Sequence, residues 1–143
     1  VEASKFYVMI LGYLQDMIQS LEFITQNSYS HINNNHKQLK FNQIRDLKSV
    51  DADMKLMFDK IEVIFDNKSF DKLDDVLVDK NQILKSVSEL IQKQIVRIRT
   101  VETSPKNSKL YFGLLLETND LIKSTMSLLE LFKEFNLHVK NKK

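Results

Sequence analysis

Two carboxylates in the last third of the chain have the clearest potential for chemistry, because they fall beside an apolar repeat. Glu117 and Asp120 lie three residues apart and next to Thr118 and Leu121. Carboxylate oxygens bind hard cations, and a partly buried carboxylate needs a metal or a basic partner to offset its desolvation. We therefore take Glu117 and Asp120 as candidate metal ligands, with a salt bridge at the edge of the fold as the alternative.

A second acidic set lies near the middle of the chain. Asp59, Glu62 and Asp66 occupy positions i, i+3 and i+7, so they share one face of a helix. Glu62 and Asp66 are therefore further candidate ligands for a hard cation. The alternative is a solvated helix face whose charge is balanced by Lys55 and Lys60.

Other catalytic patterns are missing from the sequence. His31, His36 and His138 do not follow a Glu by three residues, so the Glu-x-x-His motif of di-iron bundles is absent. We expect these histidines to be surface loop and cap residues. With no Cys and only 2 Gly, the chain lacks a thiolate nucleophile, a Gly-x-Ser-x-Gly elbow and a glycine-rich phosphate loop. The sequence therefore predicts a protein that is not an enzyme.

The charge and hydropathy of the chain limit which classes of partner we expect. The formal net charge is +2, and the basic excess is confined to the tail, so we expect no nucleic-acid partner. No run of 18 apolar residues exists that would span a membrane. The start at Val1 has neither an initiator Met nor a signal-peptide pattern. We interpret it as a cut inside a longer protein or as a processed end, and a membrane domain before Val1 stays an open alternative.

Long helices must position these residues, because only 2 Gly and 1 Pro interrupt the chain. Apolar residues at steps of three and four predict four helices, over residues 5–25, 37–66, 70–101 and 105–137. Residues 27–36 contain three consecutive Asn and predict a connection. Ser104 suits the N-cap of the last helix and Pro105 its first position.

Short connections between long helices predict an all-α, antiparallel up-down bundle formed by residues 1–143 as one domain. We expect the second and third helices to form a hairpin, and the first and fourth to close the bundle against it. The predicted core face of the first helix is Phe6, Met9, Ile10, Tyr13, Met17, Leu21 and Ile24. The predicted seam of the third helix is Leu77, Leu84, Val87, Ile91, Ile98 and Val101.

Several stretches of the chain, between about residues 13 and 135, resemble the C-terminal cytoplasmic region of bacterial sodium/phosphate cotransporters, which is a PhoU-like helical domain. The stretches that carry the resemblance are Leu21-Glu22-Phe23-Ile24, Tyr29-Ser30-His31, Asn34-Asn35-His36-Lys37, Gln94-Ile95-Val96-Arg97-Ile98-Arg99, Lys106-Asn107-Ser108-Lys109-Leu110-Tyr111-Phe112 and Leu116-Glu117-Thr118-Asn119-Asp120-Leu121.

The resemblance implies a regulatory or accessory domain of a sodium-dependent phosphate cotransporter, on the cytoplasmic face of the bacterial inner membrane. Its partner would be the membrane domain of the same polypeptide. PhoU proteins carry Glu-x-x-x-Asp motifs that bind metal clusters. In this chain the residue four positions after Asp16 is Ser20, and the residue four positions after Glu117 is Leu121, so each motif lacks its second carboxylate. We therefore expect no cofactor of the cluster type, and Asp16 and Glu117 are the positions for a single metal ion.

The alternative function is a structural module that forms a homodimer through its helices. Heptad steps and apolar residues outside the main seams, such as Leu115, Leu116 and Leu129, favour this interpretation. A metalloenzyme of the ferritin-like type is a weaker third reading, since its paired ligand motifs are missing.

Overall fold

A computed structural model describes residues 3–100 and 104–142. The described residues contain helices and no strands, which confirms the predicted all-α class. The elements are α1 (Ala3–Asn33), α2 (Phe41–Asn67), a 3₁₀ turn (Phe70–Lys72), α3 (Leu73–Thr100) and α4 (Pro105–Asn141). Val101, which the sequence placed in the third helix, lies outside the described residues.

The first helix is longer than predicted, because most of the expected connection is helical and α1 ends at Asn33. Inside it, Thr25 Oγ1 donates to the Leu21 carbonyl and Asn27 Nδ2 to the Phe23 carbonyl, each at 2.8 Å. These polar side chains bond back to their own helix instead of ending it. Helix α1 ends within the Asn run, and Asn35, two residues beyond its last residue, has a left-handed φ of 54°.

The predicted start of α4 and the predicted end of α2 are confirmed to within one residue, whereas α2 begins at Phe41 and not near residue 37. Ser104 Oγ accepts a hydrogen bond from the Asn107 amide at 3.4 Å, and Pro105 opens α4. Lys68, with a φ of 52°, ends α2 in the left-handed conformation, and its amide donates to the Phe65 carbonyl. Helix α4 runs past its predicted end at residue 137 and stops at Asn141.

Helices α2, α3 and α4 share one hydrophobic core. α2 and α3 run antiparallel, as the Lys60–Asp79 and Lys93–Asp46 ion pairs at their two ends show. α3 and α4 are also antiparallel, because Gln94 bonds Ser108 where one helix ends and the other begins. The buried apolar core is Val50, Met57, Ile61, Ile64, Phe70, Leu73, Val76, Ile83, Val87, Tyr111, Leu115, Ile122, Met126 and Leu129.

Helix α1 joins this core through α4. The two helices run antiparallel, with the Phe6 and Phe135 rings 5.1 Å apart at one end and Phe23 over Gly113 at the other. Within the described ranges, α4 is the only helix against which α1 packs extensively. The first helix therefore extends the up-down arrangement. The sequence predicted that it would also close the bundle against the α2–α3 hairpin, and in the described part of the chain it does not.

The packing corrects two of the predicted core faces. Met9 and Leu21 of α1 are exposed, because α1 has one neighbour and buries only a narrow stripe. Ile98 of α3 is also exposed. Leu77, Leu84 and Ile91 are half-buried at the edge of the core, whose α3 centre is Leu73, Val76, Ile83 and Val87. Of the apolar residues proposed for dimerisation, Leu115 and Leu129 are core residues and Leu116 is exposed.

A buried polar cluster ties the three core helices together at one end. Gln43 Nε2 of α2 donates to Gln94 Oε1 of α3, and Gln94 Nε2 to Ser108 Oγ of α4, both at 3.2 Å. Arg97 adds a 3.0 Å hydrogen bond to Gln94 Oε1 and lies 3.7 Å from the Asp46 carboxylate. Buried amides need such partners, so this cluster allows only one axial alignment of the three helices.

The two glycines differ in what a methyl group would meet, which gives a matched pair of substitutions. A Cβ on Gly12 would meet nothing within 4 Å, so Gly12 does not mark a close approach of another helix. A Cβ on Gly113 would lie 3.3 Å from Phe23 Cε1. We predict that Gly12→Ala raises the free energy of unfolding in urea by about 0.5–1 kcal/mol. Gly113→Ala should raise the free energy of unfolding by less than Gly12→Ala does, or lower it, because the new methyl group would crowd the Phe23 ring. An equal increase in both variants would contradict the packing of Phe23 over Gly113.

Candidate functional site

The largest unpartnered feature of the fold is an apolar stripe on α1. Its members recur at steps of three and four, so they share one face of the helix. All are exposed, by between 39% and 74%. The α1 seam is Tyr7, Leu11, Leu14, Ile18, Leu21, Tyr29 and Ile32.

The seam is uncharged along its whole length. Within Ala3–Asn33, the Lys, Asp and Glu residues are Lys5, Asp16 and Glu22, and none of them belongs to the stripe. Thr25 fills the single gap in the spacing. The seven side chains form one exposed apolar stripe along the helix, and monomeric proteins rarely leave a large contiguous apolar patch in solvent. A surface of this kind is a candidate for contact with another molecule.

The apolar spacing of this seam is present in the sequence, but the sequence analysis predicted a single apolar face for α1. The seam residues step by 4, 3, 4 and 3 from Tyr7 to Leu21, beside the face led by Phe6. Two apolar faces on one helix predict two neighbours, and α4 covers only one of them. Among the described residues, no helix is both long and apolar enough to cross a membrane.

Three of the five candidate metal ligands come together in the structure. Asp16 of α1 and both Glu117 and Asp120 of α4 line one cleft of about 460 Å³ between the two helices. Lys123 lines the same cleft and supplies a cation beside the carboxylates. Glu62 and Asp66 are exposed on α2 and do not line it.

The arrangement of this acidic cleft limits what it can hold. Among the residues that the structure describes, no three His, Asp or Glu side chains are grouped closely enough to form a metal site. Two or three carboxylates around an open cleft can still attract one hydrated divalent ion, which keeps most of its water ligands. The metal assignments of Asp16, Glu117, Asp120, Glu62 and Asp66 therefore remain predictions.

A second polar site, which we call the basic pocket, lies where α1 ends and α4 begins. It encloses about 230 Å³. His31 is buried in the last turn of α1, and its Nε2 lies 2.8 Å from the Lys37 carbonyl oxygen, so the prediction of a surface loop histidine is wrong for His31. The pocket is lined by Phe23, Asn27, Ser30, His31, Asn34, His36, Lys106, Lys109, Leu110 and Gly113.

The charges around the basic pocket act on one another. The rings of His31 and His36 are 5.2 Å apart. Burial, the Lys106 ammonium and the neighbouring His31 all lower the pKa of His36 below its ordinary value. The pocket is therefore a place where positive charge is already concentrated, and where further protonation is opposed.

Comparisons of the chain with protein-family models, with curated proteins and with solved structures found no match. The function must therefore be argued from the geometry of the chain, and the PhoU-like resemblance stays a prediction. Three surfaces are available for that argument: the α1 seam, the acidic cleft and the basic pocket. Of these three, the seam is the one that is apolar along most of the length of a helix.

The metal prediction for the acidic cleft can be tested by thermal melting. If Asp16 and Glu117 hold an ion, Mg²⁺ or Mn²⁺ should raise Tm by a few degrees and EDTA should reverse the gain. The double variant Asp16→Asn with Glu117→Gln should lose that response, because it removes two anionic ligands without changing size. Asp51→Asn with Glu89→Gln removes the same charge at exposed positions of α2 and α3 outside the cleft and serves as the matched control. No cation-dependent shift in the wild-type protein would end the metal assignment.

Proposed function

We propose that this chain is a non-enzymatic regulatory or accessory module that works through protein contacts made by the α1 seam. One observation carries the proposal: within the described residues, a helix of 31 residues packs extensively on one neighbour and leaves the seven apolar side chains of the α1 seam exposed. Their exposure costs free energy that a partner would recover, at about 25 cal/mol for each Å² removed from water. The module therefore has one strong contact surface, and its other helices support that surface.

A second copy of the chain is the partner that best fits the seam. The seam runs from Tyr7 to Ile32, so two seams laid side by side would meet along most of the length of α1. Two seams related by a two-fold axis meet as identical surfaces, which is the commonest arrangement of homo-oligomers. Because the stripe carries no charge, either direction of pairing avoids like charges facing one another.

Pairing through α1 would place the two cores on the outside of the dimer. Each α4 would remain packed on its own α1, and the two α1 helices would form the middle layer. The side chains of such a middle layer are buried on both faces, which explains why α1 has two apolar faces while α2 and α3 have wide single ones. The dimer would also give a regulatory route, since contacts across the seam bear on the α1–α4 packing and hence on both polar sites.

The phosphate-cotransporter reading is the second candidate, and a separate observation favours it. Four of the stretches that carry the resemblance, three within residues 21–37 and one at 106–112, contribute to the lining of the basic pocket. These lining residues are Phe23, Ser30, His31, Asn34, His36, Lys106, Lys109 and Leu110. If the resemblance reflected only a similar pattern of helices, its residues would not need to meet at one pocket. Their meeting there is better explained by a ligand site that this chain shares with the cotransporter domains. In this reading the chain is a PhoU-like accessory domain on the cytoplasmic face of the bacterial inner membrane, and its partner is the membrane domain of the same polypeptide.

The homodimer is tested by a charge placed in the middle of the seam. We predict that the wild-type protein sediments at twice its mass of 16.8 kDa. Ile18→Glu should sediment as a monomer, because a dimer would bury the new carboxylate without a partner. Ile18 is 59% exposed, so the variant should keep its helical circular dichroism.

The matched control is Val78→Glu, which adds the same charge at an apolar position of α3 that is 70% exposed. This variant should remain a dimer. A wild-type protein that stays monomeric at high concentration would refute pairing through the seam. Binding of that monomer to a membrane domain, lost in Ile18→Glu and kept in Val78→Glu, would then identify the other occupant.

A further inference from the structure

We propose that the basic pocket at the junction of α1 and α4 binds a small phosphate-type dianion. The inference goes beyond the proposed function, because it uses neither the α1 seam nor a protein partner. It rests on which side chains the fold brings to the pocket, on the charges that surround it and on the space that it encloses.

The lining of the pocket is cationic and polar. Lys106 and Lys109 come from the first turns of α4, His31 from the last turn of α1, and His36 from the connection that follows. Within the described part of the chain, none of the lining residues carries a carboxylate. For a protein whose net charge is only +2, such a local excess is a marked asymmetry. An anion is the ligand that this asymmetry attracts.

The positive field continues on the outer side of the pocket. A neighbouring cavity of about 740 Å³ shares His36 and Lys106 with it and is also lined by Lys37 and Lys40. The described residues around this cavity also include no carboxylate. An anion would therefore approach through a cationic entrance before it reached the pocket.

The chemistry of the donors favours an oxyanion with two charges. The two lysines are cations, and His36 adds a further positive charge when it is protonated. Ser30 and Asn34 add uncharged hydrogen-bond donors at the rim. A phosphate group offers the several acceptor oxygens and the double charge that such a set matches, whereas a single carboxylate would leave donors without acceptors.

The volume of the pocket agrees with a small ligand. Its 230 Å³ equals the space of roughly eight waters at ~30 Å³ each. This volume is enough for one phosphate group with part of its hydration shell. Phe23, Leu110 and Gly113 form the apolar side, where water is displaced and the charge interaction is less screened.

The histidines make binding depend on pH. Without an anion, burial and the nearby Lys106 and His31 lower the pKa of His36. A dianion would oppose these effects and raise that pKa, since it favours the protonated ring. By linkage, protonation of His36 and binding of a dianion favour each other, but inorganic phosphate gains a proton in the same pH range, so the coupling is measured as a rise in the pKa of His36 and not as a gain in affinity at low pH. The charged groups that face His36 in this balance are His31, Lys106, Lys109, Lys37 and Lys40.

The test is a titration of the full chain followed through the imidazole signals of His31 and His36 by NMR. Inorganic phosphate at pH 7 should give a saturable shift of both rings and raise the pKa of His36. The double variant Lys106→Gln with Lys109→Gln should weaken phosphate binding at least about tenfold. Lys140→Gln with Lys142→Gln removes the same charge from the far end of α4, and this control should bind as the wild type does.

The source of the phosphate group is settled by a parallel titration with vesicles that contain phosphatidic acid. Saturation by inorganic phosphate identifies a free anion, whereas saturation only by these vesicles identifies a lipid headgroup, and both results support the pocket. The proposal is overturned if neither probe gives a saturable shift, or if both double variants weaken binding equally. Neither of those results would alter the dimer test, which reads only the α1 seam.

Discussion

The burial of α4 on two sides is the constraint on which the rest of the structure depends. One side carries Tyr111, Leu115 and Ile122 into the core shared with α2 and α3, and another receives α1. A helix covered on two sides can be apolar around most of its surface. Helix α1 has no such second neighbour, although its sequence provides a second apolar face. The unpartnered α1 seam is therefore a direct result of where α4 lies.

The buried polar cluster sets how the helices align along their axes, and the basic pocket depends on that alignment. Apolar seams tolerate a shift of one helix turn better than paired amides do, because a displaced amide loses its partner. The Gln43–Gln94–Ser108 chain therefore fixes the start of α4 against α2 and α3. Asn107 then donates to the Gln38 carbonyl at 2.8 Å and holds the α1–α2 connection over α4. Lys106 and His36 meet at the pocket for this reason.

Local chemistry explains which parts of the fold could be predicted. The scarcity of Gly and Pro, the apolar spacing and the Ser104-Pro105 cap were enough for four helices and for the boundary before α4, because these signals act within a few residues. The Asn run was assigned to a connection from its turn preference. In the structure only its last residues end the helix, since the burial of His31 and the back-bonding of Asn27 extend α1 further.

The candidate sites were less accessible from the sequence, and the reason is the same for each. Glu117 and Asp120 were recognised from their spacing, but their approach to Asp16 depends on the antiparallel packing of α1 on α4. The histidines and lysines of the basic pocket are separated by about seventy residues and share no motif. The sequence by itself determined helices, caps and their order, because backbone preference and apolar period are local. Only the tertiary structure decided which apolar face found a neighbour and which charges meet, because both depend on contacts between distant segments.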